Sequence, residues 1–140
     1  MNSTLIAVSA MICNHLTSQA QESIIDGEFL YKTENGLADP VGALLDNAAY
    51  SSDIEGHPVE HLDINLIVES LQRAGVVVAD DSRKDLLHML IVWQEYHENY
   101  IDLGDVELAY SEWVDGKVAH SPQKLHAAII SGALDGYYEV

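Results

Sequence analysis

The segment HPVEH places His57, Glu60 and His61 at the H-x-x-E-H spacing of a zinc peptidase, in which two imidazoles one helical turn apart hold the metal and the glutamate is the general base. A third ligand would come from WQEYHENY, residues 93–100, as Glu95, His97 or Glu98. Pro58 weighs against the motif, because it starts a helix inside a segment whose ligands need a helix already formed. The plainer reading makes His57 and His61 surface histidines at a helix start. His97 then belongs to an aromatic helix seam with Trp93 and Tyr100. On that reading no metal or other cofactor is expected. Nucleotide binding lacks its signatures: GLADPVG, residues 36–42, supplies neither G-x-G-x-x-G nor a Walker A lysine, and no Lys or Arg lies between Lys32 and Arg73. No G-x-S-x-G elbow marks a serine hydrolase. Cys13 is the only cysteine, which rules out an intramolecular disulfide and a Cys-based zinc site and suits a reducing compartment.

The elements that must position these groups read mostly as helices. Leu5, Val8, Ile12 and Leu16 share one face of a helix over residues 3–21. That periodicity, the absence of a basic start and the interruption by Asn14 and His15 favour a packed helix over a secretion signal. Aromatic residues ahead of Asn35-Gly36 predict a small β-hairpin near residues 28–38. Asp39 as N-cap and Pro40 in the first turn predict a helix over residues 40–49, with Val41, Leu44 and Leu45 inward. A helix over residues 63–74 closes at Gly75, and residues 76–79 form a short strand or an extended link. The longest helix covers residues 82–100 and turns Leu86, Leu87, Leu90, Ile91, Trp93 and Gln94 to the core. Val106, Tyr110, Trp113 and Val114 keep helical spacing up to Gly116, and Pro122 opens a last helix. The fold class is mainly α (α+β), a single domain built as a compact bundle of about five helices with a small hairpin.

A length of 140 residues with 48% hydrophobic and 21% charged residues suits one folded domain rather than a disordered chain. No run approaches the roughly 18 apolar residues of a membrane span. Charge is the outlying property: 6 Lys and Arg against 23 Asp and Glu give a formal net charge of -17. Such a field repels phosphate backbones and anionic membranes, so neither nucleic acid nor membrane is expected as a direct partner, while basic protein surfaces are attracted. The acids cluster. Glu34, Asp39, Asp46, Asp53, Glu55, Glu60, Asp63 and Glu69 form one tract without a basic neighbour. A second tract of Glu95, Glu98, Asp102, Asp105, Glu107, Glu112 and Asp115 is interleaved with Tyr96, Tyr100, Tyr110 and Trp113. Self-repulsion in such tracts is relieved by a cationic partner, and aromatic residues among the acids add anchoring surface. A merely solubilising or salt-adapted surface is the competing explanation.

NGLADPVGALLDNAAYSSDIEGHPV, residues 35–59, resembles a family of small, largely uncharacterised proteins of tailed bacteriophages. Their pattern runs D-G-L-x-C-A-[IV]-G-x-L-[IL], then an acid, a tyrosine and E-G. Gly36, Leu37, Val41, Gly42, Leu44, Leu45, Tyr50, Glu55 and Gly56 keep it, whereas Asn35, Asp39 and Pro40 depart from it. Asp39 stands where the family has cysteine, so no redox or metal role of that cysteine carries over. The resemblance extends over about residues 14–100 and implies a phage accessory protein in the host bacterial cytoplasm, without assigning catalytic residues.

These readings lead to a non-enzymatic inhibitor that binds a basic, nucleic-acid-binding surface of a bacterial host protein, a DNA-mimic-like agent of anti-restriction or anti-CRISPR type. Glu95, Glu98, Asp102, Asp105, Glu107, Glu112 and Asp115 would be its electrostatic contacts, with Tyr100 and Trp113 as anchors. The alternatives are a metal-dependent enzyme or small-ligand sponge built on His57, His61 and His97, and a structural or assembly protein of the virion. Trp113 and the tail GYYEV would suit a homodimer contact.

Overall fold

A computed structural model describes residues 2–98 and 122–132, together with the backbone of four strands between them. The protein is mostly helical, with small antiparallel pairs of strands. Helix α1 spans Ser3–Gln19. The Asn2 side chain accepts from the Leu5 N–H at 2.9 Å, satisfying an amide that the first turn leaves open, and Ala20 ends the helix in the left-handed region with its N–H on the Leu16 carbonyl. The predicted stripe of Leu5, Val8, Ile12 and Leu16 is buried, with Ser9 and Cys13 beside it.

Strands β1, Ile24–Ile25, and β2, Glu28–Phe29, pair around Asp26-Gly27, both at positive φ as a type I′ turn requires. The hairpin therefore starts earlier than Asn35-Gly36 suggests. That dipeptide instead lies inside a single antiparallel bridge between Lys32 and Ala38.

The helix expected over residues 40–49 is not formed. Only a 3₁₀ turn, Gly42–Leu44, follows Asp39, and Leu45 is already extended. Ser70 explains the break: its Oγ donates to the Leu44 carbonyl at 2.6 Å and accepts the Asp46 N–H at 2.9 Å, replacing the hydrogen bonds that a continuing helix would have made. Val41, Leu44 and Leu45 still point inward as expected. Two further 3₁₀ turns, Ser52–Ile54 and Val59–His61, carry the chain to α2.

Helix α2, Ile64–Arg73, is capped by Asp63 and closes through Gly75 at φ +89°, where the Val76 N–H reaches the Leu71 carbonyl at 2.8 Å. Residues 76–79 form an extended link. Helix α3, Arg83–Glu98, is the central element: Leu86, Met89, Leu90, Val92, Trp93 and Tyr96 are all essentially inaccessible. Helix α4, Pro122–Ser131, packs on α1 through Leu125 and Ile129, and His126 Nδ1 lies 2.7 Å from the buried Ser9 Oγ.

Trp113 and Val114, expected on a helix with Val106 and Tyr110, lie in a strand, while Val106 and Tyr110 fall outside the described residues. β3, Tyr100–Asp102, pairs with β4, Glu107–Ala109, and β5, Ser111–Val114, pairs with β6, Lys117–His120. Val114 pairs with Lys117, and the Asp-Gly dipeptide of the sequence between them is a hairpin signal rather than a helix one. The described residues thus contain four α-helices rather than five. None of these helices is long and apolar enough to cross a membrane.

Candidate functional site

A cleft of about 600 Å³ opens between β2, the segment from Glu55 to Pro58 and the C-terminal half of α3. Glu55 builds its wall. Its carboxylate accepts the Tyr31 N–H at 2.8 Å, the Lys32 N–H at 3.2 Å and the Tyr50 hydroxyl at 2.7 Å. It thus stitches the residue 31–32 backbone to the later turns. The Tyr31 hydroxyl donates to the His57 carbonyl and holds the same two segments together from the other end. Burial and then the Glu55 hydrogen bond push the Tyr50 hydroxyl up to about 12; burial and the surrounding acids raise Tyr31 as well.

Asp39 is on the cleft floor, 2% exposed. Its Oδ1 accepts the Gly42 N–H at 2.7 Å, the cap predicted for it, and its Oδ2 accepts Gln94 Nε2 at 2.9 Å. Burial pushes the carboxyl up to about 7, against those two hydrogen bonds, which favour the charged form. Glu98 stands at the rim, raised from the usual carboxylate range by burial and by neighbouring Glu60. A smaller adjoining pocket of about 200 Å³ brings in Glu60 and Glu95, and Gln94 and Glu98 line both spaces.

The histidines do not assemble. His57 precedes Pro58 in a turn, and His61 ends the 3₁₀ turn Val59–His61, so the two never occupy successive turns of an α-helix. His97 is buried beneath the β-hairpin, where its Nε2 accepts the Ser23 N–H at 3.1 Å and Phe29 meets its ring edge-on at 5.5 Å. Burial depresses its pKa to about 3 and keeps it neutral. Among the described residues no group of three or more His, Cys, Asp or Glu side chains is placed to hold a metal. The zinc motif fails because Pro58 and the 3₁₀ geometry deny it the helix it needs.

Of the predicted contact residues, Glu95 and Glu98 sit together on α3, one at the adjoining pocket and one between both spaces. For Tyr100, Asp102, Glu107, Glu112 and Trp113 the structure describes the backbone alone, in β3, β4 and β5. Asp105, Asp115 and the GYYEV tail lie outside the described residues. Sequence reasoning did not single out Asp39, Glu55 and Gln94 as one site. The available signal was Gln94 itself, a polar side chain on the core-facing stripe of α3 that needs a buried partner.

Compared with known protein families, curated proteins and solved structures, the chain shows no match. The site is therefore defined by its own geometry: an acidic, aromatic-walled cleft with no Lys or Arg in its lining among the described residues.

Proposed function

We propose that the protein is a non-enzymatic acidic binding protein that engages a basic, nucleic-acid-binding surface of a bacterial host protein. With the phage accessory role that its resemblance to small phage proteins implies, the acidic tracts support an inhibitor of host defence, of the anti-restriction or anti-CRISPR kind. The observation that carries this reading is the convergence of the two acidic tracts. Asp39, Glu55 and Glu60 from the first meet Glu95 and Glu98 from the second around the paired cleft and pocket, with no Lys or Arg in either lining among the described residues. Concentrated negative potential costs self-repulsion in the free protein and favours association with a cationic surface.

The test is affinity capture from bacterial lysate at low and high salt, using the wild-type protein and a Glu95→Lys/Glu98→Lys double variant. Nucleic-acid competition for the captured protein is measured alongside. Capture should fall at least about tenfold on charge reversal and with added salt, as steered charge–charge association does. Capture insensitive to both, or a captured protein indifferent to nucleic acid, would overturn the reading.

A further inference from the structure

The cleft contains more acceptors than donors. Glu28, Asp39, Glu55 and Glu98 bring four carboxyl groups to one space, and Lys32 is held over the Tyr50 ring, 5.6 Å from its centre, rather than in the lining. Gln94 adds an independent sign. It is 8% exposed and lines both spaces, its Nε2 is committed to Asp39, and its Oε1 is buried without a hydrogen-bond partner among the described residues. Turning the amide about does not remove the deficit, since the nitrogen would then be the unmatched atom. Buried amide groups are almost always paired, so a polar side chain lining a cleft with one end unmatched points to a ligand.

We propose that this cleft receives the guanidinium group of an arginine side chain from the basic partner, an inference that rests on the function proposed above. A guanidinium supplies what the site lacks: a positive charge and several N–H donors in one plane, able to reach a carboxylate and an amide oxygen at once. An ammonium is a more strongly hydrated point charge without that planar fork. The aromatic side chains of Phe29 and Tyr31 in the wall suit the flat face of a guanidinium. A volume of about 600 Å³ lies within the range of clefts that enclose small groups. Glu98 at the rim meets the incoming charge, Gln94 and Asp39 meet it at the floor, and Glu55 keeps the wall in place.

The experiment is a heteronuclear NMR titration of the full chain with N-acetyl-argininamide, N-acetyl-lysinamide and an arginine-rich peptide. It uses the wild type, Glu98→Gln, Gln94→Leu and the control Glu69→Gln, an exposed position on α2 outside the cleft. The arginine compound should give saturable shifts at Tyr31, Gln94 and Glu98. Its affinity should fall about tenfold in Glu98→Gln and in Gln94→Leu and stay within about twofold in the control, as loss of charge-assisted hydrogen bonds predicts. The lysine compound should bind several-fold more weakly. Glu98→Gln changes a rim residue and keeps the test open if Gln94→Leu does not fold. Absence of saturable shifts, or equal affinity in wild type and Glu98→Gln, overturns the cleft assignment; equal binding of the lysine compound overturns the choice of guanidinium. If the peptide binds in a salt-sensitive way while the cleft resonances stay still, only this inference fails. If the peptide does not bind either, the proposed function fails with it.

Discussion

Asp39 is protonated in the folded protein up to about pH 7, whereas in the unfolded chain it loses its proton near its ordinary value of 3.8. Between those values the folded state holds more protons, so this residue makes stability fall as pH rises, with its full contribution present only below the unfolded pKa. His97 acts in the opposite sense. It stays neutral in the fold down to about pH 3 and takes up a proton near 6.5 once unfolded, so its contribution is lost as pH falls from about 6.5 to 3. Across about pH 4 to 6.5 the two slopes oppose each other and the wild type should show a shallow pH dependence. In Asp39→Asn the amide can keep the Gly42 and Gln94 hydrogen bonds once Gln94 turns. The His97 slope is then unmasked, and stability should rise with pH through that window. Above pH 7 the variant should exceed the wild type by up to about 4 kcal/mol. Urea unfolding at pH 4.5, 6 and 8 measures this; parallel curves for the two proteins would mean that Asp39 is already ionised inside the fold.

Gly42 shows how one element sets the shape of the cleft. A Cβ built there would lie 1.8 Å from the Tyr31 carbonyl oxygen, a backbone atom that cannot rotate away. The Gly42 N–H is also held by Asp39, so the 3₁₀ turn, the floor carboxyl and the Tyr31 wall meet at a point where only glycine fits. Gly42→Ala should cost about 3 kcal/mol or more, as forced overpacking does, and should displace Tyr31 from the cleft. Gly56→Ala has open space around its Cβ but a φ of +83°, and should cost only about 1 kcal/mol from backbone strain. Thermal melts of the two variants separate a packing clash from a conformational preference; equal losses would contradict the close approach at Gly42. The helices were legible because each obeys local rules: the apolar stripe of α1, the helical spacing of Leu66, Ile67 and Leu71 in α2, Gly75 after it and Pro122 opening α4. Residues 40–49 misled because Ser70, remote in sequence, supplies the hydrogen bonds that end the helix there. The cleft was legible only in part, since Asp39, Glu55 and Gln94 come from three segments whose meeting depends on that same turn.

For the whole molecule, a net charge of -17 acts through its field more than through individual contacts. The bidentate Arg73 pair holds the Asp46 carboxyl down to about 2, but it is exposed, as is the Arg83–Asp80 pair, and such surface pairs offset little of the repulsion. Salt should therefore stabilise the free protein. Going from about 0.01 M to 0.1 M shortens the screening length from about 30 Å to 10 Å, so repulsion between distant carboxylates fades while contacts inside the cleft persist. A gain of about 1 kcal/mol, or roughly 3–5 °C in melting temperature, is expected for a domain of this size. Choline chloride should match sodium chloride if screening is the cause, whereas a larger gain with sodium would point to a bound cation. The same salt series should weaken capture of the basic partner, because screening removes the attraction between the two surfaces. The two responses have opposite signs and a common origin, which separates them from a charge that serves solubility alone. A solubilising surface raises the melting temperature with salt and leaves binding unaffected, whereas a surface shaped to hold a cationic partner must lose affinity over the concentrations at which it gains stability.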